Sequence, residues 1–281
     1  MANKTLFFNR LKHFFYRITG FKKTLVALCA PYGYRFKFQL MDAIGRDIYY
    51  RYGVYAEDHI TQWLLDNLDI RDNDLILDIG ANIGWYSVML SSRSAPRIVA
   101  FEPDPTNYGI LKENIRMNKK EPVTVFNKAV SDHEGELALH LYKNYNTGRH
   151  SFIQQPKSIG TVNVPVIALD DFLPARGFGE GPIKLIKIDI EGYEYTALRK
   201  ALSTLERASF ILTEFTPSMM RSIGQEPMDY IRLLQEAGFV LKVIDEEGIS
   251  EPDFAKITGE GQQVNLIGAR AEFLYKIDKA S

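Results

Sequence analysis

The stretch from Leu75 to Ser87, LILDIGANIGWYS, constrains this chain more than any other. An apolar run carrying Asp78 near its end reads as a buried strand, and a helical pattern starts at Trp85. Between them Gly80 and Gly84 flank Asn82, so the chain turns where two side chains are missing. Such a turn lets backbone come close to a bound molecule. The stretch therefore predicts a strand, a loop and a helix, with a ligand against the loop.

The same alternation continues downstream. Strands are predicted over residues 97–101, 123–130, 183–188 and 210–215, and helices over 85–92, 105–118, 193–205 and 228–237. Strands separated by helical patterns argue for a parallel sheet with crossover helices. Residues 136–142 and 161–167 interrupt this order and predict an inserted β-hairpin around the polar segment 143–160. Residues 239–244 and 264–269 predict an antiparallel pair at the end of the sheet. The fold class expected is α/β: a Rossmann-like, mostly parallel sheet with an antiparallel terminal strand, an inserted β-hairpin and an N-terminal helical extension. Its domains would be a basic amphipathic extension over residues 1–70 and a catalytic domain over 71–281.

The extension differs in charge from the rest. Residues 1–41 hold eight Lys or Arg and no Asp or Glu, leaving 26 basic against 35 acidic residues, a balance of −9, in the remainder. Phe7, Leu11, Phe14, Ile18, Phe21 and Leu25 recur at helical spacing, with basic residues between them. Such a helix suits peripheral contact with a membrane interface, and it equally suits packing on its own domain or against a second copy in a homo-oligomer. Residues 34–40, YRFKFQL, alternate as a half-exposed strand, and residues 56–68 predict a helix covering the sheet. No apolar run reaches the roughly 18 residues of a membrane span, and no signal peptide is recognisable. The one cysteine, Cys29, excludes an internal disulfide framework and fits a reducing compartment. A cytoplasmic location is expected, with the inner face of the membrane as the variant that a lipid-binding helix would imply. The acidic body lacks a basic groove interleaved with aromatics, so nucleic acid is not an expected partner.

In open parallel sheets, ligands sit beyond the carboxyl ends of the strands. The polar residues there are Asp78 to Gly84, Glu102, Ser131 with Asp132, Asp189 with Glu191, and Glu214. Glu102 follows Gly84 by eighteen positions, near the separation of about twenty at which nucleotide folds place an acid on a ribose diol. The glycine pattern is D-x-G-x-N-x-G, whereas dinucleotide folds use G-x-G-x-x-G. Asn82 replaces a glycine, and Asn tolerates a left-handed backbone. An NAD-dependent oxidoreductase is thus the runner-up, since Tyr195 and Arg199 have the Tyr-x-x-x-Lys spacing with the wrong base. A non-catalytic, membrane-associated protein retaining the fold is the further alternative.

The D-x-G-x-N-x-G pattern resembles the first motif of class I S-adenosylmethionine (SAM) methyltransferases. The ordered set LDIGANIGWYS, AFEPDP, NKAVSDHEGE, IKIDIEGYEYTAL and LTEF resembles the FkbM family of SAM-dependent O-methyltransferases over about residues 44–215. That resemblance implies SAM as cofactor, with Asp78, Gly80, Ala81, Asn82 and Gly84 around its methionine and ribose parts. It also implies Glu102 and Pro103 at the ribose and Ser131 with Asp132 near the adenine. The acceptor implied is a hydroxyl of a small molecule or glycan, in members associated with polysaccharide and glycolipid modification.

An alcohol must lose its proton as its oxygen is methylated, so a base is needed within about 3 Å of the hydroxyl. Asp189, at a strand end beside the nucleotide side, is the first candidate. His150, in the inserted loop, is a rival with a suitable ordinary pKa, and Arg149 beside it is a candidate to hold an anionic acceptor. Alternatively Asp189, Glu191 and Glu214 converge on Mg2+, which would acidify a coordinated hydroxyl.

Overall fold

The computed structural model describes residues 24–29, 32–40, 42–51, 53–120, 122–142, 150–154 and 158–278. Its chain begins with strands β1 (Thr24–Cys29) and β2 (Tyr34–Gln39) and helices α1 (Ala43–Tyr50) and α2 (Asp58–Asn67). The Leu75 stretch forms β3 (Leu75–Ile79) and α3 (Trp85–Met89), followed by β4 (Arg97–Phe101), α4 (Pro105–Met117) and β5 (Val123–Phe126). A separate small sheet follows, built from β6 (Ala129–Ser131), β7 (Gly135–Tyr142) and β8 (Ser158–Ala168), then α5 (Leu169–Ala175). The main sheet resumes with β9 (Ile183–Ile188), α6 (Glu194–Leu198), α7 (Leu202–Arg207), β10 (Ala208–Phe215), α8 (Pro217–Ser222) and α9 (Pro227–Glu236). It finishes with β11 (Phe239–Asp245), β12 (Gly248–Ser250), α10 (Phe254–Glu260), β13 (Val264–Arg270) and α11 (Leu274–Asp278).

Eight strands lie in the order β12-β11-β13-β10-β9-β3-β4-β5. β5, β4, β3, β9 and β10 run parallel, and β13 inserts antiparallel between β10 and β11. All five residues of β3 are buried, as expected of a parallel strand covered by helices on both faces. The predicted Rossmann-like α/β sheet, its inserted hairpin and its antiparallel end are therefore present. β7 and β8 pair antiparallel, and β8 pairs parallel with β6.

Three expectations change. Residues 123–130 do not form one strand, because β5 stops at Phe126 and β6 joins the small sheet. The Asn127 side chain donates to the carbonyls of Glu102 and Pro103 at 2.9 and 2.8 Å, tying the turn to the end of β4. The helix predicted over 193–205 divides into α6 and α7. The Asp170 carboxylate starts α7 afresh by accepting from Ser203 N, Thr204 N and Thr204 Oγ1 at 2.9, 2.9 and 2.6 Å, a cap supplied from distant sequence. The aromatic and aliphatic stripe from Phe7 lies outside the described residues except for Leu25, which sits in β1 rather than on a helix. Arg149 also lies outside them.

The described part of the extension shares the core of the main domain. Asn114 of α4 and Asn118 at its C-cap, four residues apart and therefore on one face, complete the free edge of β2. Asn118 accepts from Arg35 N at 2.9 Å and donates to Arg35 O at 2.7 Å. The fully buried Asn114 does the same for Lys37 at 2.7 and 3.0 Å, and it also donates to Ile83 O at 2.7 Å. Side-chain amides thus take the place of a neighbouring strand, which satisfies an edge that would otherwise be open. Trp85 fixes the other side, stacking near Phe36 and Tyr55 while its indole N–H donates to Thr61 Oγ1 at 2.8 Å. No helix among the described residues is long and apolar enough to cross a membrane.

Candidate active site

A cavity of about 510 Å3 opens beyond the carboxyl ends of β3, β4, β9 and β10, the size of an ordinary small-molecule site. Its floor is the loop after β3. Gly80 and Gly84 have φ of +75° and +89°, and Asn82 has φ of +50°. A side chain on Gly80 would bring its Cβ to 2.0 Å from the Asp189 carbonyl oxygen, and one on Gly84 would strike Leu111 at 2.5 Å. Gly80 is required by conformation and by its contact with backbone, and Gly84 by conformation. The loop is pinned by Gly80 N and Ala81 N, which donate to Phe101 O at 3.0 and 2.9 Å. Gly80, Ala81 and Asn82 line the cavity, while Gly84 lies behind them as the N-cap of α3.

Glu102 and Pro103 line the same wall. The Glu102 carboxylate accepts from Asn82 N at 2.8 Å and Asp104 N at 2.9 Å, which orients it. Burial pushes its pKa up to about 8 although both amides favour the charged form. Asn82 Oδ1 is buried with no hydrogen-bond partner among the described residues. A glycine loop, a carboxylate with free lone pairs and an unsatisfied acceptor fit a ligand that donates hydrogen bonds and carries positive charge. SAM does both, through its ribose diol, ammonium and sulfonium.

Asp78 is placed differently from the cofactor wall. Its side chain is fully buried under the loop, with Oδ2 accepting from Ser87 Oγ at 2.6 Å and Oδ1 3.7 Å from Lys187 Nζ. Burial raises its pKa, against Lys187 and Ser87. It supports the loop from below. Ser131 and Asp132 are also off the cavity wall, whose lining at this point is Lys128, Ala129 and Val130. The cause is the early end of β5: Ser131 closes β6 of the small sheet and Asp132 follows it, instead of standing at a main-sheet strand end. Burial opposes ionisation of Asp132, but hydrogen bonds from His133 and Arg199 prevail and hold its pKa at about 2. The carboxylate is thus engaged by the His133 ring and the Arg199 guanidinium outside the cavity.

At the other end of the cavity stand Asp189, Glu191 and Glu214. Asp189 is the open one, with about a third of its side chain accessible and Lys187 Nζ at 3.7 Å. Lys187 itself is almost wholly enclosed and donates to Gly80 O at 3.0 Å. Burial opposes its charge, yet Asp189, Asp78 and Glu57 outweigh this and raise its pKa. Glu214 accepts from Gln263 and, at 3.2 Å, from Thr216 Oγ1. Burial, then Asp189 and Glu191, push its pKa well above the carboxyl range.

Two expectations for this end are corrected. Among the described residues no three His, Cys, Asp or Glu side chains, Asp189, Glu191 and Glu214 included, are gathered as a metal-holding group. Lys187 already supplies the positive charge there. His150 does line the cavity, but its Nδ1 accepts from Tyr142 N at 2.9 Å. That bond leaves the proton on Nε2, which lies 4.0 Å from Asp104 Oδ2, and burial lowers the pKa. A neutral ring with its one lone pair engaged is a donor and has no free lone pair with which to act as a base.

Several wall residues were not predicted. Ala43, Ile44 and Asp47 of α1 and Tyr55 and Glu57 before α2 bring the extension into the site. Tyr86 donates to Glu57 Oε2 at 2.9 Å, and burial followed by Asp189 raises the Glu57 pKa. The advance signal was Lys187, the second of two lysines in the strand IKLIKI, where a buried charge demands partners.

Comparison with known proteins agrees with this geometry. Hexuronic acid methyltransferase AglP of Haloferax volcanii is 25% identical over 219 residues, 77% of this chain and 82% of that protein. The 2-O-methyltransferase NoeI of Sinorhizobium fredii is 28% identical over 56% of this chain and 69% of its own length. The 31-O-demethyl-FK506 methyltransferase FkbM of Streptomyces tacrolimicus is 24% identical over 74% of this chain and 85% of that protein. Residues 78–241, more than half of the chain, match the family described as the methyltransferase FkbM domain. The chain is a SAM-dependent methyltransferase and belongs to the FkbM-domain family.

Proposed function

We propose that the protein methylates a hydroxyl group, with a sugar in a glycan or glycolipid as the acceptor class. The observation that carries this reading is the division of one cavity: Glu102 and the Gly80–Asn82 loop at one end, the open Asp189 carboxylate at the other. Hexuronic acid in the name of the Haloferax relative supports a sugar.

SAM held against Glu102 supplies a methyl group made electrophilic by its sulfonium. Glu102 would hold the ribose hydroxyls with the lone pairs that its two amide bonds leave free. Ala81 and Asn82 present backbone at the same wall, with Pro103 beside Glu102. Asp189 would take the acceptor proton as the acceptor oxygen bonds to the methyl carbon and the carbon–sulfur bond breaks, with the neutral thioether as leaving group. Lys187 Nζ lies 3.7 Å from that carboxylate. Tyr55 and Trp85 help close the cavity to water.

Asp189→Asn removes the base and keeps the shape. The expected result is SAM affinity within about twofold of the parent, with turnover lowered at least 100-fold, the size of effect general-base removal gives. Full turnover would take Asp189 out of the reaction. Contact of the basic residues 1–23 with a membrane belongs to the same reading, through anionic lipid bearing the acceptor. A chain lacking those residues should bind anionic vesicles less than the full chain, and equal binding would refute it.

A further inference from the structure

The wall that the extension supplies carries a hydroxyl that the reaction so far leaves idle. Two tyrosines line the cavity, Tyr55 from the segment before α2 and Tyr86 from α3. The Tyr86 hydroxyl is committed, donating to Glu57 Oε2 at 2.9 Å. Tyr32 and Tyr34, elsewhere in the extension, donate to Asp58 Oδ1 at 2.6 Å and Ser92 O at 3.3 Å. The half-buried Tyr55 makes no hydrogen bond through its hydroxyl among the described residues, and a phenol on a cavity wall calls for an acceptor. Its ring is held in place, packed on the Trp85 indole with centroids 5.6 Å apart and planes at 54°, while Trp85 is anchored on Thr61. Trp85 is also the first residue of α3, directly after the Gly80–Gly84 loop. Tyr55 is therefore braced against the element that carries the cofactor wall. Its neighbours put it at the acceptor end: burial, and after it the carboxyl groups of Glu57, Asp189 and Glu214, push its pKa well above the ordinary phenol value. A phenol in that setting keeps its proton and is a donor.

Resting on the hydroxyl-methylating reading above, we propose that Tyr55 binds the acceptor, donating its O–H to an oxygen beside the hydroxyl that is methylated. Proton chemistry dictates which oxygen. The reacting oxygen has to lose a proton to Asp189, and a donor bonded to it would draw on the lone pair that attacks the methyl carbon. On a neighbouring oxygen the same donor fixes the direction of the reacting hydroxyl and leaves its lone pair alone. The acceptor that fits carries oxygens on adjacent carbons, as a sugar ring does. An isolated alcohol would leave the phenol unpaired, which is how a hydrogen-bonding site rejects an analogue lacking the matching group.

The test is Tyr55→Phe in the full chain, which removes the hydroxyl and keeps the ring against Trp85. Parent and variant are titrated with SAM by calorimetry, then assayed with labelled SAM against increasing amounts of a total glycan and glycolipid extract of the source cell. SAM affinity should stay within about twofold, while the extract concentration giving half-maximal labelling should rise about tenfold, the size of one lost hydrogen bond in a poorly solvated site. Half-maximal labelling at the parent's concentration overturns the inference and leaves the hydroxyl-methylating reading intact. So does a loss of SAM affinity in the variant, which would put the hydroxyl on the cofactor. A parent that binds SAM and labels nothing in the extract overturns the hydroxyl-methylating reading and this inference with it. A second arm needs no variant and decides the matter if Tyr55→Phe does not fold: methyl glucoside and cyclohexanol, rings of the same size with several hydroxyls and with one, compete against labelling by the parent. The glucoside should inhibit at lower concentration, and cyclohexanol inhibiting as well or better would overturn the proposal.

Discussion

Lys187→Met tests the electrostatic design of the site in one substitution. Methionine nearly matches the lysine stem, so the loss is chiefly that of an ammonium 3.7 Å from Asp78 and from Asp189. At an effective dielectric constant of about 20, each pair at this distance is worth about 4.5 kcal/mol of gross attraction. Desolvation of the ammonium returns much of that, and removing one partner from a buried pair costs about 3–5 kcal/mol net. The variant should therefore be destabilised by about 3–5 kcal/mol at pH 8 in urea denaturation followed by tryptophan fluorescence. The penalty should shrink as pH falls. Asp78 is already raised by burial, with Lys187 and Ser87 opposing, and without Lys187 it rises further. An acid whose folded pKa lies above its unfolded value contributes stability at low pH and loses it as pH climbs through that window. The variant should thus recover stability at pH 5 relative to pH 8. A penalty under about 1 kcal/mol at pH 8, or one equal at both pH values, would refute this account of Lys187.

Glu102 gives a second pH dependence. Its pKa of about 8 in the SAM-free protein comes from burial, and ribose hydroxyls favour the carboxylate. SAM affinity should rise with pH up to about 8, with proton release detectable by calorimetry in buffers of different ionisation enthalpy; pH-independent affinity with no proton release would contradict this. Asn114→Leu should cost about 2–4 kcal/mol, because Lys37 N, Lys37 O and Ile83 O lose their partner. It should also expose the β1–β2 hairpin to proteolysis before the main domain, and simultaneous cleavage of both would contradict that role of Asn114.

The parts of this fold that were legible in the sequence are those whose signals are local. β3 and its loop carry strand, glycines and helix start within thirteen residues, and Glu102 follows at a spacing set by one helix and one strand. The resemblance to FkbM methyltransferases rested on such contiguous motifs. What was not legible depends on partners distant in sequence. Ser131 and Asp132 were placed at a strand end because residues 123–130 read as one strand; the Asn127 bonds to the carbonyls after β4 show where that strand breaks. His150 looked like a base until Tyr142 N occupied its lone pair. Asp47, Tyr55 and Glu57 reach the cavity because Asn114, Asn118 and Trp85 dock the extension, and no periodicity in residues 43–57 announces that contact.

The central claim is that the cavity beyond β3 and β4 is a SAM site. Calorimetric titration of the full chain with SAM, and with NAD as control, tests it most directly. The account predicts one SAM site of micromolar affinity, weakened at least tenfold in Glu102→Ala, and no binding of NAD. Binding of NAD in place of SAM, or SAM affinity untouched by Glu102→Ala, would contradict it.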